Sequence, residues 1–333
     1  MPTAAMVPDE LRHAPFLGRE AVEKHLLTKG QLRSTVWVPL LRGVYVHRDV
    51  EVGADVRAQA LSLRLRPGDV VAGRTAAWAH GAWVPAPGRP VPWEVTTSLT
   101  GSGRDNAVNR RRLTLRGSAD WRGPIAGISV LDHDIIERGG VRLLSPVRTC
   151  FDLMRERGLV EAVVVADAFG WAGALDLLTL SVYAADRRRW PAVRQTRVAL
   201  NLANAAARSP GESRLRMVMV LAGLPEPLVN VPLLDDRDVV LGIPDLTVLG
   251  SRQTVGAEYD GRYHEDDDQQ GLDRRRENRV TAIGGMPLLR YDRTSVWSQR
   301  PAVLREVCAL SGLRPRNDLE DADFRRPRPS RAW

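Results

Sequence analysis

A chain of 333 residues is too long for one ordinary hydrophobic core, so two or three domains are expected. Its hydrophobic share of 44% and charged share of 26% are those of a soluble globular protein, and no apolar run reaches the roughly 18 residues that a membrane-spanning helix needs. Only Cys150 and Cys308 are present, which excludes both a disulfide framework and a four-thiolate zinc site.

The formal net charge of +8 favours polyanionic partners, because cationic side chains release counterions from phosphate. An arginine-rich surface without such a partner is the plainer account. Lysine occurs only at Lys24 and Lys29, so chemistry that needs a lysine further along is excluded. The opening MPTAAMVPDELRHAP lacks the basic-then-apolar pattern of a secretory leader, and a cytoplasmic location is the expectation.

Residues 1–50 are expected to form a small winged-helix-like unit. The segment Gly18–Lys29 has Ala21, Val22 and Leu26 at helical spacing and is stopped by Gly30. Further on, Gly43 precedes the β-rich Val44-Tyr45-Val46, and helices followed by a hairpin are a variant of the helix-turn-helix docking shape. Residues 51–158 read as an α+β domain. Helices are expected at Ala58–Leu65 and Arg74–His80, and strands at Pro92–Thr97, Arg110–Arg116 and Ile128–Leu131. A turn at Ser145–Thr149 then leads into a helix from Cys150 to Arg157. Arg110, Arg111 and Arg112 are candidates for phosphate contact, with a solvated charge run as the alternative. Residues 159–207 are alanine-rich and read as a helical connector with a break near Trp190-Pro191.

The candidate chemistry lies in residues 208–310, expected to be an α/β domain with a mixed central sheet. Ser209-Pro210-Gly211-Glu212 places Ser at the N-cap, Pro at the first helical position and Glu at N3, opening a helix that runs to about Leu221. Two strands follow, Gly242–Leu249 and Thr254–Asp260, joined by the loop Gly250-Ser251-Arg252-Gln253. A symmetric loop sets Asp245 directly opposite Glu258, and alternation brings Asp260 to the same face. Carboxylates so opposed repel unless a hard divalent cation lies between them, which suits Mg²⁺ or Mn²⁺. Arg262 and His264 come next, then an acidic run Glu265–Asp268 and a helix from about Gln269 to Ile283 that carries Arg274. Gly284-Gly285 ends it, and Pro287–Tyr291 is a strand with Arg290 near its end. Residues 311–333 read as a basic, flexible tail.

On Pro244-Asp245, Glu258-Tyr259-Asp260-Gly261, His264, Asp273-Arg274 and Leu289-Arg290, residues 209–297 resemble the DUF559 family. That family is a restriction-endonuclease-like branch of the PD-(D/E)XK superfamily, related to the very-short-patch-repair endonucleases. The resemblance implies that Asp245 and Glu258 or Asp260 ligate the metal, and that Glu212 is the acid of the first helix. On Arg42-Gly43-Val44-Tyr45, Arg74-Thr75-Ala76-Ala77 and Ser145-Pro146-Val147-Arg148-Thr149, the first 200 or so residues resemble AbiEi-type antitoxins and regulators. The superfamily signature has a lysine two residues past the second acid, where this chain has Asp260.

Two functions follow as expectations. One is a metal-dependent nuclease cutting DNA, with Asp245, Glu258 and Asp260 as ligands and His264 and Glu212 assisting. Arg274, Arg290 and Arg262 would then brace phosphate. The other is a non-catalytic DNA-binding regulator or antitoxin with a degenerate nuclease fold, whose partners include a cognate toxin or another operon-encoded protein. Each site residue also has an ordinary account: Asp260-Gly261 as a turn, Glu212 as a helix cap, and His264 and the arginines as exposed side chains.

Overall fold

The computed structural model describes residues 7–66, 69–83, 91, 94–97, 132–261 and 279–324. They fall into two compact units, one within Met1–Leu153 and Ala172–Tyr183, the other within Met154–Trp171 and Ala184–Arg326. Both are α+β, and no helix among the described residues is long and apolar enough to cross a membrane.

The first unit opens with β1 (Phe16–Leu17), α1 (Gly18–Glu23), β2 (Trp37–Leu41) and β3 (Val44–His47). The strands are antiparallel in the order β1-β3-β2. Arg42 and Gly43 turn the chain between β2 and β3, and Gly43 sits at φ +81°, where a Cβ is penalised. Helix α1 ends at Glu23 instead of running to Lys29. His25 takes a left-handed φ of 58°, and Leu27 turns into a cluster with Leu11, Phe16, Ala21 and Trp37. Burial of that leucine outweighs the helical periodicity. Before the hairpin the chain makes a 3-10 turn, Gln31–Arg33, where the sequence suggests further helix.

Next come α2 (Ala54–Ser62), β4 (Asp69–Val71), α3 (Gly73–Ala79), β5 (Val95–Thr97), β6 (Ile135–Arg138), β7 (Val141–Leu144) and α4 (Pro146–Arg155). The sheet order is β5-β4-β7-β6, with β4 and β7 parallel. Helix α4 starts ahead of the expected Cys150, since Pro146 is pre-set for the first helical turn. The strands expected at Arg110–Arg116 and Ile128–Leu131 lie outside the described residues. Leu41, Val44, Leu61, Val71, Trp78 and Leu143 are central to the core.

Two motifs of this unit turn out to be buried ion networks. Arg148 and Asp134 are both 0% exposed and 2.5 Å apart, and Arg148 Nε donates to Asp152 at 2.7 Å. From α6 (Leu177–Asp186), whose first part belongs to this unit, the Tyr183 hydroxyl donates to the other Asp134 oxygen at 2.7 Å. Arg74 pairs with the buried Glu94 at 2.8 Å, and Glu94 also accepts the Arg74 N–H at the start of α3. A Cβ on Gly73 would stand 2.0 Å from that carboxylate, so only glycine fits.

In the second unit, α5 (Leu159–Trp171) packs on α7 (Val193–Asn201) and on α8 (Pro210–Leu221). The stretch expected as a connector thus supplies two of this unit's packed helices, with the break at Trp190-Pro191 in place. Beyond α8 lie β8 (Leu228–Val229), the small hairpin β9 (Leu233–Leu234) and β10 (Val240–Gly242), then β11 (Leu246–Val248) and β12 (Val255–Tyr259). After β13 (Leu288–Tyr291) come α9 (Arg293–Trp297) and α10 (Arg300–Ser311). The main sheet is mixed, in the order β13-β12-β11-β8, with β12 and β13 parallel and the other pairs antiparallel. The strand expected over Gly242–Leu249 is two pieces, because Pro244 lacks the N–H that a continuous ladder needs. Residues 312–324, within the stretch expected as a flexible tail, contact the body of the unit. The Arg316 and Asn317 amides donate to the Ala222 carbonyl, and Phe324 is buried beneath the Arg300 guanidinium.

Removing one partner of a buried ion pair strands the other charge away from water. Asp134→Ala is expected to cost about 3–5 kcal/mol in urea unfolding, several times the effect of deleting an exposed partner such as Asp49. A second test concerns His80, whose Nε2 donates to the Leu144 carbonyl at 2.8 Å. Burial pushes this imidazole down to about 4, against the help of that hydrogen bond and with Arg138 adding to the drop. The unfolded chain takes up a proton near 6.5 while the folded one resists until about 4, so stability is retained above 6.5 and lost as pH falls between the two. Over that window wild type should lose about 3 kcal/mol more than His80→Gln, as thermal unfolding at stepped pH will show.

Candidate functional site

The ladder between β11 and β12 pairs Leu246 with Ala257, Thr247 with Gly256 and Val248 with Val255. This is the register expected from the symmetric loop. Continued by one step, it sets Asp245 opposite Glu258 at the open end of the pair. Asp245 is half-buried, and its Oδ2 accepts the Tyr259 N–H at 2.8 Å, so the carboxylate holds the end of β12 directly.

On the other side β13 runs parallel to β12 and sets Arg290 beside Glu258. The Arg290 Nε lies 3.7 Å from Glu258 Oε2, a loose pair in which the arginine is 42% exposed and the glutamate 16%. The Asp260 amide donates to the Tyr291 carbonyl at 2.7 Å, extending this parallel pairing by a residue. Asp260, Arg290, Asp292 and Thr294 are among the residues lining an open depression of about 420 Å³. Asp292 caps α9 by accepting the Ser295 N–H, which holds its carboxyl below the usual range.

Helix α8 begins as the sequence predicts, with Ser209 Oγ accepting the Glu212 N–H at 3.1 Å. Glu212 does not return the bond to Ser209. Its Oε2 accepts from the Arg208 N–H at 2.9 Å and from the Asn230 side-chain amide at 2.8 Å, and the residue is 6% exposed. Asn230 in turn donates its backbone N–H to the Asp245 carbonyl at 2.9 Å. It therefore links the helix acid to the strand acid, from a left-handed φ of 53° that asparagine tolerates better than most residues. Sequence reasoning missed this residue. The signal was an Asn two residues before a proline at the end of a short apolar run.

Tyr259 occupies the other face of β12, where its ring lies over Gly211; a Cβ there would be 2.0 Å from the ring. Burial on that face raises the phenol above its ordinary value, with Arg214 and Arg293 opposing the shift. Gly211 is thus what lets α8 close on the sheet.

The structure sets Asp245 just before β11, Glu258 on β12 and Arg290 on β13, and joins Glu212 to Asp245 through Asn230. The three-carboxylate convergence is not seen in this arrangement: among the described residues, no three His, Cys, Asp or Glu side chains are grouped so as to hold a metal ion. The reason is local. Asp245 is engaged by the Tyr259 amide, Glu258 leans to Arg290, and Asp260 borders the depression. Arg262, His264, Arg274 and the Arg110–Arg112 run lie outside the described residues.

Comparison with protein-family models, with curated proteins and with solved structures gives no match to the chain.

Asn230 offers a direct test of the linkage. Asn230→Ala loses two side-chain hydrogen bonds and places an alanine at positive φ, and it should cost about 2–3 kcal/mol in chemical denaturation. Asn230→Gly, free of the backbone strain, should recover part of that loss.

Proposed function

We propose that the chain is a metal-dependent nuclease acting on DNA phosphodiester bonds, with its first unit serving to engage DNA. The observation that carries this reading is the β11–β12 register at the end of a mixed sheet, which, extended one residue past its last pair, Leu246 with Ala257, would set Asp245 opposite Glu258. The order around it also agrees: α8, three antiparallel strands β8, β11 and β12, then β13 parallel to β12. That is the order of the restriction-endonuclease-like core that the resemblance implies.

The donors present suit Mg²⁺ or Mn²⁺ in a restricted sense. Two carboxylates and no soft ligand fit a hard ion that retains several waters and takes further oxygens from a substrate phosphate. Asp245 and Glu258 would hold it. Bound there, such an ion supplies Lewis-acid polarisation of the phosphodiester and a more acidic water. The chain's own residues do the rest. The Tyr259 N–H fixes one Asp245 oxygen and so holds the carboxylate at the end of β12. Arg290, half exposed and loosely paired, is placed to move from Glu258 to a phosphate oxygen. Glu212, through Asn230, steadies the strand that carries Asp245.

A second reading is a DNA-binding regulator that has lost catalysis, partnered by a cognate toxin or another protein. It is favoured by Asp260 standing where the superfamily has lysine, and by the absence of a three-ligand group among the described residues. Incubation of supercoiled plasmid with Mg²⁺ or Mn²⁺ separates the two. The nuclease reading expects nicking that stops with EDTA and falls to background in Asp245→Ala and Glu258→Ala. DNA binding with no cutting under any of these conditions would leave the regulator.

A further inference from the structure

Beside the depression that Asp260 and Arg290 line lies a second open hollow of about 520 Å³, bordered by Arg293, Thr294, Trp297, Ser298 and Phe324. Thr294 lines both. The two are successive stations along α9, polar at its start and aromatic at its end. Thr294 and Trp297 are three residues apart on that helix, a spacing that sets Cβ atoms about 5–6 Å apart. Along a nucleic-acid strand that is fewer than two nucleotide steps of about 3.4 Å each.

The aromatic walls are set before any ligand arrives. Arg214 stands over the half-buried Trp297 ring at 5.2 Å and is itself held by both oxygens of Glu161, at 2.6 and 3.0 Å. Arg300 stands over the Phe324 ring at 4.4 Å, pairs with Asp321 and donates to the Trp297 carbonyl. Asp292 caps the start of α9, so both ends of this short helix are fixed. Each ring thus carries a cation whose own charge an acid answers. Rings restrained in this way lose little freedom when a flat ligand stacks on them. The exposed Arg293 adds a further cation to the lining.

An aromatic wall with a cation beside it, one helical turn from a polar depression, matches the parts of a nucleotide, a base and then its phosphate. A base within a duplex keeps its faces against its neighbours and cannot reach such a wall. We infer that the hollow takes an unpaired base next to the phosphodiester at the carboxylate site, with Trp297 as the stacking surface and Arg293 on the adjoining phosphate. This deepens the nuclease reading and rests on it for the identity of the neighbouring phosphate as the one cut. The substrate class is DNA with single-stranded nucleotides at the cleavage point, such as a gap or a flap, and negative supercoiling favours the same opening in plasmid.

The test is a titration of the full chain in EDTA with fluorescent duplexes of one sequence: fully paired, with a short single-stranded gap, and with the same gap made of abasic nucleotides. Stacking of one base contributes on the order of 10-fold in affinity, so wild type should bind the gapped duplex about 10-fold more tightly than the abasic-gapped or the paired one. Trp297→Leu should erase that preference and Trp297→Phe should keep most of it. Trp171→Leu, which removes a half-exposed ring that also lies under an arginine, should leave it intact. With 5-iodouracil in the gap, irradiated wild type should crosslink at Trp297, a readout that depends on no variant folding. The inference is overturned if base-bearing and abasic gaps bind wild type alike, or if crosslinks fall only outside the hollow. It is equally overturned if Trp297→Leu keeps the preference, or if Trp171→Leu loses it to the same extent. Because no cutting is measured, these outcomes stand apart from the nicking assay: gap preference in a chain that never nicks would sink the nuclease reading and leave the base site.

Discussion

The second unit depends on one short antiparallel ladder. Three residue pairs join β11 to β12, and at their open end the Asp245 carboxylate accepts the Tyr259 amide. A side chain there does what a further ladder bond would do, and it stops the strand pair from fraying where the acidic residues lie. The same strand carries Tyr259 against Gly211 on one face and Glu258 beside Arg290 on the other. Helix packing and carboxylate placement are therefore two outcomes of a single register, and a slip by one residue would exchange them.

Both units also bury arginine, and the physical demand is the same in each. Arg148 is enclosed with Asp134 and Asp152, while Arg216 on α8 is 1% exposed between Asp167, Glu226 and the Leu202 carbonyl. The guanidinium's flat array of donors suits such sites, because several acceptors can be met at once. The cost of burial is visible on the acid side. Desolvation pushes Asp167 up to about 6 even with Arg216 beside it. Such networks fix geometry more than they add stability, since apolar residues of the same shape can do as well.

How much of this was legible from the sequence varied with the range of the interaction. The β11–β12 register could be read because a four-residue loop of polar character separates two β-rich runs, so pairing is local. The start of α8 was equally clear from Ser209 and Pro210. Less visible were features that tertiary contacts decide. Leu27 turns inward and ends α1 early, and Pro244 divides an apparently continuous strand. Arg148 reads as an ordinary polar residue until Asp134, Asp152 and Tyr183 surround it. Glu212 was recognised as a helix cap, but its bond to Asn230 could not be foreseen, because the two meet only when β8 returns beside α8.

The parallel pairing of β12 with β13 has a consequence for the order of assembly. β11 and β12 are neighbours in sequence and can zip through a short turn, whereas β13 is separated from β12 by residues 260–287. Closing that longer loop costs more chain entropy before any contact rewards it. The strand ends next to Asp245 and Glu258 are therefore expected to meet early, on a nascent hairpin still open to water. Arg290 arrives last, so its charge reaches Glu258 only when the domain is nearly complete.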